Sequence, residues 1–230
     1  LEKVVAASIA LNIFGERVMA IAEQALSGQR VVLHGVPWAT YVALRDVPQS
    51  RNVRMTYYRG ELEMMSPSKR HEVCAHLLGR LIEAWSEELD IDIQSCRAMT
   101  CRREDLERGF EPDNSYYIKH EPQVWQKMEL DLSVDPPPDL AIEIDLSGET
   151  FKKMPLCAAF GVPEVWRYDG RTLEVFELGP EGQYELRPSS VSFPRLPLSE
   201  VQRLMGQVGV VRENTLIRSF RTWVREHITK

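Results

Sequence analysis

Residues 138–145 read Pro138-Asp139-Leu140-Ala141-Ile142-Glu143-Ile144-Asp145. Leu140 to Ile144 is a short, β-branched, mostly apolar run, stopped upstream by Pro136-Pro137-Pro138. Such a run reads as a central strand covered on both faces. The one charge inside it is Glu143. A carboxylate among apolar neighbours is costly unless it is paired, protonated or bound to a cation. One pentapeptide therefore points both to a buried sheet and to a first candidate for chemistry.

The flanking residues extend the sheet. Pro155 suits a first helical turn, so a helix is expected from about Met154 to Gly161, followed by a strand at Val165–Tyr168. A helix followed by strands, then strand, helix and strand, makes an α/β sheet with a mixed edge. Gly170 then turns the chain into residues 172–178, and Pro180-Glu181-Gly182 turns it into 184–187. Helices are expected at 198–205 and 216–228. Upstream, residues 31–33 suggest a strand and 37–44 a helix carrying Trp38 and Tyr41. Residues 54–58 and 61–65 flank Arg59-Gly60, a hairpin signal. Ser66-Pro67-Ser68 caps a helix that continues to Leu89, with Cys74, Leu77, Leu78, Leu81, Ile82 and Trp85 at helical spacing. Residues 91–101 read as a strand, 102–111 as a charged connection, 114–118 as a further strand and 119–135 as a loop or insertion. The expected fold is α/β, a mixed central sheet flanked by helices.

The chain has 230 residues, 43% hydrophobic and 27% charged, which excludes a wholly disordered polymer. No apolar stretch approaches the roughly 18 residues of a membrane span, so no membrane association is expected. A formal net charge of -6 argues against holding a polyanion by bulk positive charge. It leaves open an enzyme whose site must itself carry carboxylates. Cys74, Cys96, Cys101 and Cys157 form no C-x-x-C pair, which argues against zinc and suits reduced thiols in a cytoplasmic protein. Val4, Ala7, Leu11, Phe14, Val18, Ile21 and Ala25 make one apolar stripe, read as a helix rather than a leader peptide. The expected organisation is a helical extension over residues 1–30 and one domain over 31–230.

A hard cation such as magnesium needs carboxylate or carbonyl oxygens at about 2.1 Å. Residues two apart on a strand share a face at about 7 Å, so Glu143 and Asp145 share one. Asp139 shares it too, but at about 13 Å from Glu143. A ligand partner for Glu143 should instead come from a neighbouring strand, about 4.8 Å away. Asp113, heading its own strand after Pro112, is the natural choice. Either Lys152 or Lys153 is placed to lean back over Glu143. The hairpin strand is read as turning only one of Glu61 and Glu63 toward a site, and Glu63 is chosen.

These segments together resemble a known family. They are Arg59-Gly60-x-Leu62-Glu63-x-Met65-Ser66-Pro67, His71-Glu72, Glu111-Pro112-Asp113-Asn114-x-Tyr116-Tyr117, Pro137-Pro138-Asp139-Leu140-x-x-Glu143 and Gly161-Val162-Pro163-Glu164-Val165-Trp166-Arg167-Tyr168-Asp169-Gly170. From about residue 31 to about residue 225 the chain looks like the putative restriction endonuclease family, whose members are assigned to the PD-(D/E)XK nuclease fold. The resemblance implies a restriction-endonuclease-like sheet and hydrolysis of DNA phosphodiesters with Mg2+, or Mn2+ in its place. It implies metal ligands Asp113 and Glu143, with Asp139 as a further candidate, and a catalytic Lys153. Glu63 and His71 match supporting polar positions. Asp145 stands where the wider fold class has lysine, and Lys153 takes the lysine's place from the following helix.

Beside an active endonuclease, expected as a homodimer because cutting two strands favours two sites, stand two other readings. One is an inactive relative that binds nucleic acid or a protein. The other is an assembly protein built on the stripe at residues 4–25. Arg97, Arg102, Arg103 and Arg108, and six Lys or Arg against two acids from Arg203 to Lys230, offer a phosphate track or a solvated face. Tyr57-Tyr58 and Tyr116-Tyr117 read as sheet packing rather than base-stacking platforms.

Overall fold

A computed structural model describes residues 30–146 and 153–228. The apolar stripe at residues 4–25 and Lys152 lie outside the described residues. In chain order the elements are β1 (Arg30–Leu33), α1 (Trp38–Arg45), β2 (Arg54–Tyr58), β3 (Glu61–Met65), α2 (Lys69–Glu88), β4 (Gln94–Ser95), β5 (Cys101–Arg103) and β6 (Arg108–Phe110). They continue with β7 (Asn114–Tyr117), α3 (Glu121–Val124), β8 (Leu140–Ile144), α4 (Lys153–Phe160), β9 (Glu164–Tyr168), β10 (Leu173–Leu178), β11 (Tyr184–Arg187), α5 (Leu198–Met205) and α6 (Glu213–His227). The described residues fall into two compact units, one of residues 30–68 with 100–111, the other of residues 69–99 with 112–146 and 153–228. No helix among the described residues is long and apolar enough to cross a membrane.

The first unit is an antiparallel sheet in the order β1-β3-β2-β6-β5. Its β2–β3 hairpin closes on a two-residue loop, Arg59 at φ 47° and Gly60 at φ 89°. Two positive φ values in succession are what the right-handed twist of a tight hairpin requires, and glycine is at ease there. One face buries Met55, Tyr57, Leu62 and Met64 against Tyr41 and Leu44 of α1. Tyr41 stacks on Tyr57 with ring centroids 5.0 Å apart.

The second unit holds a mixed sheet in the order β11-β10-β9-β8-β7-β4, in which β8 and β9 are parallel and α4 is their connection. Leu140, Ile142 and Ile144 of β8, Trp166 and Tyr168 of β9, and Leu173 and Val175 of β10 enter one core with α2, α5 and α6. The alternate residues Glu143, Arg167 and Glu174 therefore point to the opposite face. α2 lies close on the core face, where Gly79 has no side chain to interpose. A Cβ there would sit 2.5 Å from Asn114 Nδ2 and 2.8 Å from Tyr116 Oη. Gly79→Ala is expected to lower stability by about 1–3 kcal/mol. A urea melt matching that of the unchanged protein would refute this close approach.

Two expectations fail around residue 100. Residues 91–101 do not form one strand; they contain β4 and the start of β5, which belong to different sheets. Residues 102–111 are no mere connection, since β5 and β6 pair as a hairpin with Arg103 opposite Arg108. The turn residue Glu107 adopts φ 45° without being glycine, and half of the paired residues are charged, so neither hairpin signal is present. The segment 119–135 carries the short helix α3.

Candidate active site

Four polar side chains meet where β7 begins and β8 ends, all within the second unit. The β7–β8 ladder sets Asn114 beside Ile142, Ser115 beside Ala141 and Tyr116 beside Leu140. One step further along, Asp113 comes beside Glu143, and the Asp113 N–H donates to the Ile142 carbonyl at 3.0 Å. The neighbouring strand thus brings up the partner that strand spacing called for. Asp113 Oδ2 accepts from the Ile144 N–H at 2.7 Å and lies 3.1 Å from His71 Nε2, in the first turn of α2. Lys153 opens α4, and its Nζ lies 2.5 Å from Glu143 Oε2. All four residues are buried.

Each carboxylate therefore has one oxygen beside a basic side chain. The other oxygens, Asp113 Oδ1 and Glu143 Oε1, are buried with no hydrogen-bond partner among the described residues. Burial alone would raise the Asp113 carboxyl, but Lys153 and the His71 contact outweigh it and hold Asp113 down at about 2. Glu143 goes the other way. Burial, with Asp113 beside it, pushes it up to about 7 despite Lys153. Two adjacent carboxylates driven apart in this way are a recurrent mark of functional sites.

Burial would lower the His71 imidazole, yet the Asp113 and Glu72 carboxylates carry it up to about 9. A basic group whose folded pKa is raised adds stability below its unfolded value, here the ordinary 6.5, and loses it as pH rises through about 9. The metal-free protein should thus lose up to about 3 kcal/mol between about pH 6 and about pH 10 through this pair. Urea melts at both pH values should show that loss in the unchanged protein and not in His71→Gln. Equal losses in both would remove His71 as its source.

The pair suits a hard cation. A buried carboxylate oxygen without a donor is expensive, and a cation is the partner that satisfies two at once. Among the described residues no group of three or more His, Cys, Asp or Glu could enclose an ion.

The other candidates lie elsewhere. Asp139 is engaged at the start of β8, where it accepts from the Ile118 and His120 N–H groups at 2.8 and 2.9 Å and meets His120 Nδ1 at 2.6 Å. Its observed work is to hold the chain between β7 and α3. Glu63 is buried on β3 of the first unit, 3.3 Å from Arg30 Nη1. Two apart on one strand, Glu61 and Glu63 share a face, so facing does not choose between them as the sequence reading supposed. Asp145 lies 3.7 Å from Arg167 Nε. Sequence reasoning passed over Arg167, which the parallel register sets directly beside Glu143. The strands expected at 140–144 and 165–168, aligned from their starts, would set Tyr168 there; the observed strand begins one residue earlier, at Glu164, and only that register brings Arg167 beside Glu143. Of the supposed basic track, Arg203 pairs with Glu200, and Arg221 and Arg225 pair with Glu88.

The family model for Uma2, described as putative restriction endonuclease, matches residues 38–207. No curated protein matches the chain. Among solved structures, a putative nuclease belonging to DUF820 from Anabaena variabilis ATCC 29413 is similar at 16% identity and a TM-score of 0.41, covering 73% of this chain and 90% of that one.

Proposed function

The chain belongs to the putative restriction endonuclease family, and we propose that it hydrolyses phosphodiester bonds of DNA with magnesium, or manganese in its place. The observation that carries this reading is the pair of buried carboxylate oxygens on Asp113 and Glu143, each left without a hydrogen-bond donor. These two residues would hold the cation. When bound, a divalent cation polarises the phosphodiester, lowers the pKa of water and offsets charge on the leaving oxygen.

The chain's own residues do the rest. His71 and the Ile144 N–H hold Asp113 in one orientation and keep it ionised. Lys153 stays beside Glu143 to position the attacking water or to offset phosphate charge. It does so from α4, which answers the presence of Asp145 where a lysine is otherwise expected. Asp139 serves by fixing the turn after β7. Cutting both strands of a duplex takes two such sites, which a pair of chains supplies.

The test is nicking of supercoiled plasmid by the full chain with millimolar magnesium or manganese, repeated with chelator. Metal-dependent nicking is expected. No nicking with either metal on any plasmid or linear duplex tried would sink the reading and leave a nucleic-acid or protein binder.

A further inference from the structure

We infer that Arg167 is a contact for a DNA phosphate, extending the Asp113–Glu143 site across the sheet; this rests on the nuclease reading. Continuous ladders set Glu143 beside Arg167 and Arg167 beside Glu174, on the face away from the apolar core. With Asp113 beside Glu143, one row crosses four strand positions as acid, acid, base, acid.

Arg167 is the cation of that row, yet it is not spent on Glu143, whose Oε2 belongs to Lys153. Its Nε lies 3.7 Å from Asp145 and 3.6 Å from Glu174, beyond hydrogen-bonding reach. That Nε is buried and has no hydrogen-bond partner among the described residues. The side chain is nonetheless 35% exposed. An arginine is therefore enclosed at its Nε, open to solvent over the rest of its side chain, and loosely flanked by two carboxylates that do not saturate it.

The chemistry of the ligand follows from the surroundings. Asp113, Glu143, Asp145 and Glu174 would together repel a polyanion. Among the described residues, the basic side chains beside this row are Lys153, already in contact with Glu143, His71, already in contact with Asp113, and Arg167. Only Arg167 retains a planar fork of donors of the kind that meets phosphate oxygens two at a time. A phosphate held there would lie beside Glu143 rather than on it, which places it as a backbone contact next to the reacting bond. Arg167 so acts in substrate binding, and no proton or bond change is assigned to it.

The experiment compares the unchanged 230-residue chain with Arg167→Gln and Arg167→Lys. Binding of a short DNA duplex is measured in chelator over a series of salt concentrations, and plasmid nicking is followed with magnesium for KM and kcat. Arg167→Gln should weaken binding about tenfold, in line with the loss of one charge-assisted hydrogen-bonded contact. It should also reduce the slope of log affinity on log salt by about 0.9. KM should rise more than kcat falls. Arg167→Lys should keep the salt slope while losing part of the affinity, and its retained charge guards against a folding artefact. If Arg167→Gln leaves affinity and slope unchanged, while its melting temperature falls, the residue merely balances Asp145 and Glu174 and the inference is overturned. If the unchanged protein binds but never nicks, and the slope still drops in Arg167→Gln, the nuclease reading fails and the phosphate contact stands. If it does not bind DNA at all, the inference falls with no appeal to nicking.

Discussion

Glu143→Gln is expected to abolish metal-dependent nicking, with a loss of about a thousandfold or more. Glutamine has nearly the shape of glutamate and keeps an oxygen near the position of Oε1, so the buried strand need not move. What disappears is the negative charge, and with it half of the charge that Asp113 and Glu143 present together to a cation. Several kcal/mol of interaction with a divalent ion is lost, and each 1.36 kcal/mol is a factor of ten. Metal binding followed by calorimetry should fail in the same variant. In the unchanged protein, affinity for magnesium should climb as pH rises through about 7, because the proton that burial keeps on Glu143 must leave before the ion can engage it. Nicking by Glu143→Gln at the rate of the unchanged protein would take Glu143 out of the site altogether.

The same residue shows how much was legible in advance. A charge inside Leu140–Ile144 announces itself because everything around it is apolar, and strand spacing then demands a partner from the adjacent strand. Asp113 follows from geometry, and the observed ladder sets the two side by side. Lys153 was one of two lysines by position and was chosen through the family resemblance; its Nζ lies beside Glu143 Oε2. His71 is different. Nothing in its own neighbourhood of the sequence separates a histidine in a helical first turn from a surface residue; only the closing of α2 against the end of β8 gives it Asp113. Arg167 was hidden for a related reason, since a lone arginine in a short strand acquires meaning only from its register.

The fold divides along similar lines. Elements with strong periodicity, such as α2, or with a glycine at a required positive φ, such as the β2–β3 hairpin, stand where expected. The β5–β6 hairpin was missed because its strands are three residues each and half charged, and its turn is closed by Glu107 rather than glycine. Tertiary pairing, not local preference, makes those residues strands. The chain from 91 to 101 was read as one strand for the opposite reason. Its β-prone residues suggest continuity, while the backbone leaves one sheet after Ser95 and enters another at Cys101.

Lys153→Met is expected to cut nicking by a hundredfold to about ten-thousandfold while leaving metal binding in place. Methionine keeps an unbranched apolar stem in the buried start of α4, and only the ammonium is lost. Three contributions go with it: the nearest counter-charge to Glu143, a donor to the attacking water, and a cation to offset the phosphate. The first can be separated from the other two. Without Lys153, Glu143 has less to hold it ionised, so the metal-free protein should keep its proton to higher pH. A divalent ion, however, then meets one like charge fewer beside it, and calorimetry near pH 8 should show magnesium binding at least as tight as in the unchanged protein, by about the value of one removed repulsion. Metal binding retained with cleavage lost is the signature of a lysine acting in the reaction. Metal binding and cleavage both retained would make Lys153 a neutralising partner of Glu143 and nothing more. Both lost would mean that the ion pair holds the carboxylates in place, and that the step from α4 to the reacting bond must be found in another side chain.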